Sequence, residues 1–374
     1  MSAGFGSRVR ERAGGAGLRL YLALGVVAAL VALLAVLLVA PDSTAGQFAA
    51  VLFANSTFAS ALRLSVPIAF AALGGIFAEK SGVINIGLEG LLIIAAFAGI
   101  YAADLLGSPW LGLLGGVAAS TLFALLFAVV CIEFRADQII AGLAVWLIAL
   151  GLAPFAAQVV YGSTNTPRVA TFATLPTMGI PVVSEGVTAE LLFGYALVDL
   201  PFFGALFSAT PMVYVMFAAV VASWWTLNRT AFGRHVRASG ENPKALDTAG
   251  VSVSRVRYAA VLLSGVLCGF GGAALSLSLG QFIGNGPTMV DGKGFIAIVA
   301  YLLGNYNAVG ALLSTLLFAG LDALQLTLQA RDVIQVPNSL VRTIPYVSVI
   351  VVLTLFGRTR TPDAAGDHYE SGEE

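Results

Sequence analysis

Residues 138–161 read QIIAGLAVWLIALGLAPFAAQVVY, a run with no charged side chain. An α-helix needs about 20 such residues to cross the roughly 30 Å of hydrocarbon in a bilayer, because each residue advances the helix by about 1.5 Å. The whole chain has the same character, since 58% of its residues are hydrophobic and only 10% are charged. The run therefore predicts one membrane-spanning helix in a chain built largely from such helices.

Other apolar segments accompany this one. Long segments lie at 20–40, 110–132, 209–227, 258–280 and 311–328, and shorter or interrupted segments lie at 64–78, 83–103, 295–303 and 344–356. Strands of a membrane barrel alternate in hydrophobicity and do not run unbroken for this length. We therefore expect an all-α, polytopic integral membrane protein with about ten transmembrane helical segments.

The basic residues predict the orientation, because Lys and Arg are concentrated in cytoplasmic loops. With a cytoplasmic N-terminus, fourteen of the nineteen Lys and Arg residues fall inside and five fall outside. The expected organisation is a cytoplasmic segment at 1–19, a transmembrane domain at 20–357 and an acidic tail at 358–374. The tail has few apolar residues, so we expect it to be disordered. Both termini are expected on the cytoplasmic side of the cell membrane.

Two polar, glycine-rich stretches interrupt the hydrophobic pattern, one in each half of the chain. They are EKSGVINIGLEG at 79–90 and QFIGNGPTMVDGKG at 281–294, and the second precedes the half-length apolar run at 295–303. This pattern is typical of broken or re-entrant helices, in which irregular backbone lies at membrane depth. Ordinary connecting loops that happen to be rich in glycine are the alternative interpretation.

The segment at 311–328, extended by one residue, carries a polar face. At about 100° per residue, Ser314, Asp322, Gln325 and Gln329 fall within an arc of about 80°. A carboxylate such as Asp322 is costly against lipid, so this face is expected to point into the bundle or into an aqueous cavity. A packing hydrogen bond without a role in transport is the alternative.

A polar loop at 228–257 contains six of the nineteen Lys and Arg residues. Within it, Asn242 is a good N-cap, Pro243 suits the first helical position, and Gly250 suits a left-handed stop. These signals predict a helix of about two turns, which is marginal in water on its own. We therefore expect it to be held against something else, such as another protein.

Motifs for catalysis are missing from the sequence. The nearest approach to a phosphate-binding loop is Gly292-Lys293, but Gly294 stands where Ser or Thr is needed. Cys131 and Cys268 are isolated thiols within apolar segments and form no zinc or disulfide framework. We expect no enzyme activity, no metal site, no cofactor and no nucleic-acid partner. Active transport would then need an ion gradient or a separate ATPase.

The stretch at 79–90 resembles the signature of ABC-transporter permeases of the branched-chain amino acid/ribose type, in particular the branch for nucleoside and simple-sugar uptake. Residues 240–245 (GENPKA) with 249–250, and residues 292–297 (GKGFIA), are similar to the same branch. The resemblance runs from about residue 60 to residue 357, and the extended region at 162–208 departs from it. We expect that region to be a connecting loop, and a contact for a binding protein is the alternative.

The resemblance implies an importer that pairs this subunit with a second permease subunit, cytoplasmic ATPases and an extracytoplasmic substrate-binding protein. It also implies that the short helix in the loop docks into a groove of the ATPase. Leu246, Ala245 and Ala249 would form its apolar face, with Lys244 and Asp247 at the rim. The implied coupling residues are Glu241, Asn242, Pro243, Lys244, Ala245, Leu246, Asp247, Ala249 and Gly250.

Alternating access is the mechanism implied for such a subunit. The polar candidates for the translocation path are Asn85, Glu89, Asn305, Asn307, Asp322 and Gln325. A secondary transporter or channel driven by an ion gradient, with Asp322 or Glu89 as the ion site, is the alternative from another class. A membrane scaffold without transport would leave the polar face at 311–328 unexplained.

Overall fold

The computed structural model describes residues 42–174, 204–331 and 360–370, together with scattered positions within 28–40, within 190–197 and at 347 and 350. The predicted segment at 344–356, most of 20–40 and the whole of 1–19 lie outside the described residues. In the described part of the chain the fold is helical apart from one small hairpin, formed by β1 (Glu190–Leu192) and β2 (Tyr195–Ala196).

The helices of the described residues are, in chain order, α1 (Thr44–Leu52), α2 (Asn55–Lys80), α3 (Leu88–Leu106), α4 (Pro109–Ala128, continued by a π-helical turn at Val129–Glu133), α5 (Gln138–Tyr161), α6 (Gly204–Phe207), α7 (Pro211–Arg229), α8 (Ala231–Glu241), α9 (Pro243–Thr248), α10 (Val253–Leu279), α11 (Lys293–Leu303) and α12 (Ala308–Arg331). Seven of them, namely α2, α3, α4, α5, α7, α10 and α12, are long and apolar enough to cross a membrane. The chain is therefore a multi-pass membrane protein, as its sequence predicts.

Helices α2, α3 and α10 form the centre of the bundle, whereas α4 and α5 expose Leu and Ile side chains along their outer faces. Glycines let α10 approach α4 closely, because a Cβ at Gly265 would overlap the side chain of Ala124 and a Cβ at Gly269 would overlap Val117. Close approach of small residues is the usual basis of helix association in lipid.

The bundle has two distinct ends. At one of them, which we call the loop end, α8 packs on the end of α2, and the hydroxyl of Ser239 donates to the carbonyl of Ser81 at 2.7 Å. At the opposite end, the chain after α5 pairs with the chain after α10, since the N–H of Val169 donates to the carbonyl of Gly280 at 2.7 Å. The polar loop at 228–257 and the α2–α3 turn (residues 81–87) therefore lie at the same end.

The two interrupted regions differ in structure. The stretch at 79–90 comprises the end of α2, a turn at residues 81–87 and the start of α3, and the side chain of Asn85 in this turn reaches Ser264 in the middle of α10. The second stretch is irregular backbone that leads into α11, whose 11 residues extend only about 16 Å. This helix is too short to cross a bilayer and matches the predicted broken helix.

The acidic tail at 358–374, predicted to be disordered, is ordered at 360–370. The N–H of Ala364 donates to the carbonyl of Gly240 at 2.8 Å, and the N–H of Gly366 donates to the carbonyl of Gly82 at 3.0 Å. Composition did not indicate this order, because the bonds are made by backbone groups that every sequence carries.

Candidate functional site

Helix α11 begins against the first turn of α3. The carboxylate of Glu89 accepts hydrogen bonds from the backbone N–H groups of Gly292 at 2.8 Å and Gly294 at 2.6 Å. N–H groups at the start of a helix lack acceptors within it, and they carry the positive end of its dipole. Glu89 is only 2% exposed, so the start of α11 supplies the compensation that this buried carboxylate needs.

The chain on both sides of α11 adopts backbone conformations that are rare outside glycine. Thr288 and Asp291 before the helix have φ values of +66° and +46°, and Asn305 and Tyr306 after it have values of +52° and +55°. Each such residue costs on the order of 1 kcal/mol and persists only where its surroundings fix it. Strain of this kind clusters at functional sites, which makes α11 and its flanks the first candidate.

A cavity of about 350 Å³ opens beside the start of α11. The indole of Trp146 on α5 meets the ring of Phe295 edge-on, with centroids 5.3 Å apart. Leu150 adds apolar surface, and Glu89 and Asp291 contribute carboxylates to the lining. Mostly apolar walls with a few polar groups are the usual composition of a small-molecule site.

Charged side chains meet near the same point. Lys293 is buried, and its ammonium donates to the carbonyl of Val290 at 3.2 Å. It lies near enough to interact electrostatically with both Glu89 and Asp322. Asp322 is half-buried and Gln325 is buried, so the polar face of α12 points into the bundle. Glu89 and Asp322, both predicted for the path, thus share one charged region.

The three asparagines predicted for the path lie in turns next to helices α2, α3, α11 and α12. Oδ1 of Asn85 accepts from the N–H of Gly87 at 3.0 Å within the α2–α3 turn. Oδ1 of Asn307 accepts from the N–H of Val309 at 2.9 Å and begins α12. Asn305 is exposed and accepts from the backbone of the C-terminal segment at 3.1 Å. Each asparagine thus accepts from a backbone group, and the amide nitrogen of the buried Asn85 also donates to the hydroxyl of Ser264 on α10 at 3.5 Å.

A second buried carboxylate fixes the other end of α11. Glu79, in the last turn of α2, accepts hydrogen bonds from the hydroxyls of Tyr301 and Tyr306, the second at 2.7 Å. The ammonium of Lys80 lies 5.8 Å from the centre of the Tyr306 ring. Glu79 was not among the predicted site residues. Its partners are 222 and 227 positions away, so no local spacing indicates the cluster.

The short helix predicted in the polar loop is α9, which follows α8 at the loop end. Oδ1 of Asn242 accepts from the N–H of Ala245 at 3.0 Å, as an N-cap does. Gly250, just after the helix, has a φ of +79°. The start and stop signals in the sequence therefore match the structure.

The predicted apolar docking face differs from the structure at Leu246. This side chain is 4% exposed and belongs to the chain's own hydrophobic core, whereas Ala245 and Ala249 are exposed. A helix this short is unstable alone, and the burial of Leu246 attaches it to the bundle. The exposed residues in and around α9 are Glu241, Asn242, Lys244, Ala245, Thr248, Ala249 and Gly250.

Comparison with known proteins adds to this geometry. A family model described as the permease component of the branched-chain amino acid transport system matches residues 57–353. The nucleoside ABC transporter permease protein NupC of Lactococcus lactis is 36% identical over 83% of this chain and 95% of its own length. The guanosine ABC transporter permease protein NupQ of Bacillus subtilis is 34% identical over 83% of this chain and 94% of its own.

A third relative, the putative glucose ABC transporter permease protein TsgC13 of Haloferax volcanii, is 31% identical over 81% of this chain and 92% of its own length. No solved structure matches the chain. The region matched by the family model contains α9, α11, both buried carboxylates and the cavity. The chain is therefore a transport component and not an enzyme. It belongs to the family of ABC-transporter permeases whose model is described as the permease component of the branched-chain amino acid transport system.

Proposed function

We propose that this permease takes up nucleosides and moves them by alternating access, driven by a separate ATPase. The observation that carries the proposal is the cavity beside Glu89, where an aromatic pair adjoins carboxylates. Two relatives, at 36% and 34% identity, are named as nucleoside and guanosine permeases, whereas two relatives named for glucose are 31% and 30% identical.

The cavity suits the two parts of a nucleoside. A nucleobase is a flat aromatic ring, and it gains contact area and favourable ring geometry against Trp146 and Phe295. The ribose hydroxyls are donors, and the carboxylates of Asp291 and Glu89 are acceptors. A simple sugar offers the hydroxyls without the aromatic base, so it would leave much of the aromatic surface unused.

The energy source lies outside the chain, since the sequence has no phosphate-binding loop. We place the ATPase at the exposed side of α9, where Lys244 and Ala245 face outward beside Glu241. A small apolar patch between charged residues is the arrangement of a helix that docks in a groove. A second permease subunit and an extracytoplasmic binding protein complete the proposed importer, and the loop end is then cytoplasmic.

A continuous set of contacts connects α9 to the cavity. Helix α8, which leads into α9, bonds to the α2–α3 turn through Ser239 and Ser81. The turn is flanked by Glu79 and Glu89, which bind the two ends of α11. A displacement of α9 therefore reaches the helix beside the cavity through packed and hydrogen-bonded groups.

The test is uptake into proteoliposomes that contain this chain with its ATPase, its second permease subunit and its binding protein. We expect uptake of labelled guanosine or uridine that requires ATP and survives a protonophore. Uptake of glucose without nucleosides would contradict the substrate, and uptake without ATP would contradict the mechanism.

Trp146→Ala should lower nucleoside uptake about fivefold, because an aromatic pair contributes about 1 kcal/mol beyond its buried area. Trp225→Ala is the matched control, since Trp225 on α7 is exposed at the bundle surface and is not part of the cavity lining. Equal uptake by the two variants would show that the cavity beside Trp146 is not the nucleoside site.

A further inference from the structure

Residues 360–370, which we call the strap, lie across the loop end and fall outside the region matched by the family model. The middle of the strap is bound between two elements. The N–H of Ala364 donates to the carbonyl of Gly240 at the end of α8, and the N–H of Gly366 donates to that of Gly82 in the α2–α3 turn. Ala364 is 7% exposed, so this part of the strap is packed as well as hydrogen-bonded.

The strap also covers a buried cation. Nη1 of Arg257, near the start of α10, donates to the carbonyl of Asp367 at 2.7 Å, and the Arg257 side chain is 4% exposed. Its Nε and Nη2 atoms have no hydrogen-bond partner in the part of the chain that the structure describes. Burying a guanidinium with one acceptor is unfavourable, so the remaining contacts of the strap have to offset that cost.

The last residues of the strap reach α9 and the chain after α4. The hydroxyl of Tyr369 donates to Oδ2 of Asp247, on α9, at 3.0 Å. Glu370 forms an ion pair with Arg135, which follows the π-helical turn. The strap therefore contacts α9 near one end and the α2–α3 turn at its middle.

The strap gives helix α9 a second side-chain attachment. The helix has six residues, and its buried side chain is Leu246, which attaches one side of it to the bundle. Asp247 lies about 100° further around a helix from Leu246. The bond from Tyr369 to Asp247 therefore attaches α9 on a second side.

We propose that the strap is a positioning element for ATP coupling, which fixes α9 to the α2–α3 turn so that the two move as one unit. This rests on the proposed function, because it assumes that an ATPase acts on α9. The strap would then transmit the motion of α9 directly to the turn that carries Asn85 and leads into α3.

Hydrogen exchange on the full complex tests the placement of the strap. The amides of Ala364 and Gly366 should exchange at least about tenfold more slowly than unstructured peptides, because each donates to a backbone carbonyl. Exchange at the unstructured rate would overturn the proposal. Hydrogen exchange is measured without transport. Slow exchange at these amides in a complex that takes up no nucleoside would therefore count against the proposed function and not against the placement of the strap.

Substrate-stimulated ATP hydrolysis tests the role. Deletion of 360–374 and Tyr369→Phe should each lower the stimulation, the point variant about fivefold if one hydrogen bond is lost, while the amount of co-purified ATPase stays unchanged. His368→Ala, at an exposed strap position, is the matched control and should behave as wild type. Unchanged stimulation after deletion would overturn the role, as would a parallel loss of bound ATPase, which would make the strap part of the docking surface.

Discussion

The backbone N–H of Gly294 donates to Oε2 of Glu89 over 2.6 Å, so a helix in the second half of the chain begins on a carboxylate from the first half. The two residues are 205 positions apart. Broken helices often direct their N-termini at anionic substrate groups, but here the protein supplies the anion itself. A substrate at this site therefore meets a start of α11 that is already neutralised, which suits an uncharged cargo such as a nucleoside.

Glu89→Ala should destabilise the protein and abolish uptake. It leaves the N–H groups of Gly294, which is buried, and Gly292, which is partly buried, without their acceptor, and an unsatisfied buried N–H costs about 1–3 kcal/mol. Glu89→Gln keeps one oxygen as an acceptor and should lose less stability. Thermal unfolding in detergent measures both, and a wild-type midpoint for Glu89→Ala would show that the cap is dispensable.

Gly294→Ala should be as damaging as loss of the carboxylate. Its Cβ would overlap the backbone of Glu89, so α11 would have to move away from α3. Gly320→Ala on α12 is the matched control, because no atom lies within 4 Å of its added Cβ. ATP-dependent uptake should fall at least about tenfold for the first variant and remain unchanged for the second. Equal uptake by the two would contradict the close contact.

Substitutions on α9 should separate folding from docking. Leu246→Ala empties a buried site and should cost about 2–4 kcal/mol of stability. Lys244→Glu changes an exposed residue and should leave the unfolding midpoint unchanged while reducing the amount of ATPase that co-purifies. If Lys244→Glu and Ala245→Asp both retain the ATPase fully, the docking surface lies elsewhere.

Tyr306→Phe should lower stability through Glu79. The buried carboxylate would lose one of its two tyrosine donors, at a cost of about 1–3 kcal/mol. Tyr101→Phe serves as the control, because Tyr101 is 42% exposed on α3. In a double-mutant cycle, Glu79→Ala, which removes the acceptor, should make most of the Tyr306→Phe effect disappear. Fully additive effects would contradict a direct interaction.

Much of the fold follows from local sequence. Long apolar runs such as 138–161 predicted their helices closely, and Asn242 and Gly250 marked the start and stop of α9. Helix α2 is longer than its predicted run at 64–78, because the apolar count stopped near Arg63. Polar residues at the first turns are nevertheless compatible with the helix, since the hydroxyl of Thr57 donates to the carbonyl of Val51.

The site was less accessible to prediction, because its contacts join distant parts of the chain. Glu89 was recognised as a polar residue in an apolar setting, but its role as a cap depends on Gly292 and Gly294. Leu246 was placed on an exposed face, since the sequence of α9 alone does not show which side meets the bundle. The strap could not be predicted from the sequence, because it is held by hydrogen bonds to backbone carbonyls in α8 and the α2–α3 turn.

Helix α11 is bound at both ends by carboxylates that flank a single turn. Glu89 follows the α2–α3 turn and accepts from the N–H groups at the start of α11. Glu79 precedes the turn and binds Tyr301, in the last turn of α11, and Tyr306, just after the helix. A movement of that turn therefore carries both ends of α11 together. We therefore expect α11, about 16 Å long, to move as one rigid body without unwinding, and Phe295, Ile296 and Val299, which line the cavity, would move with it.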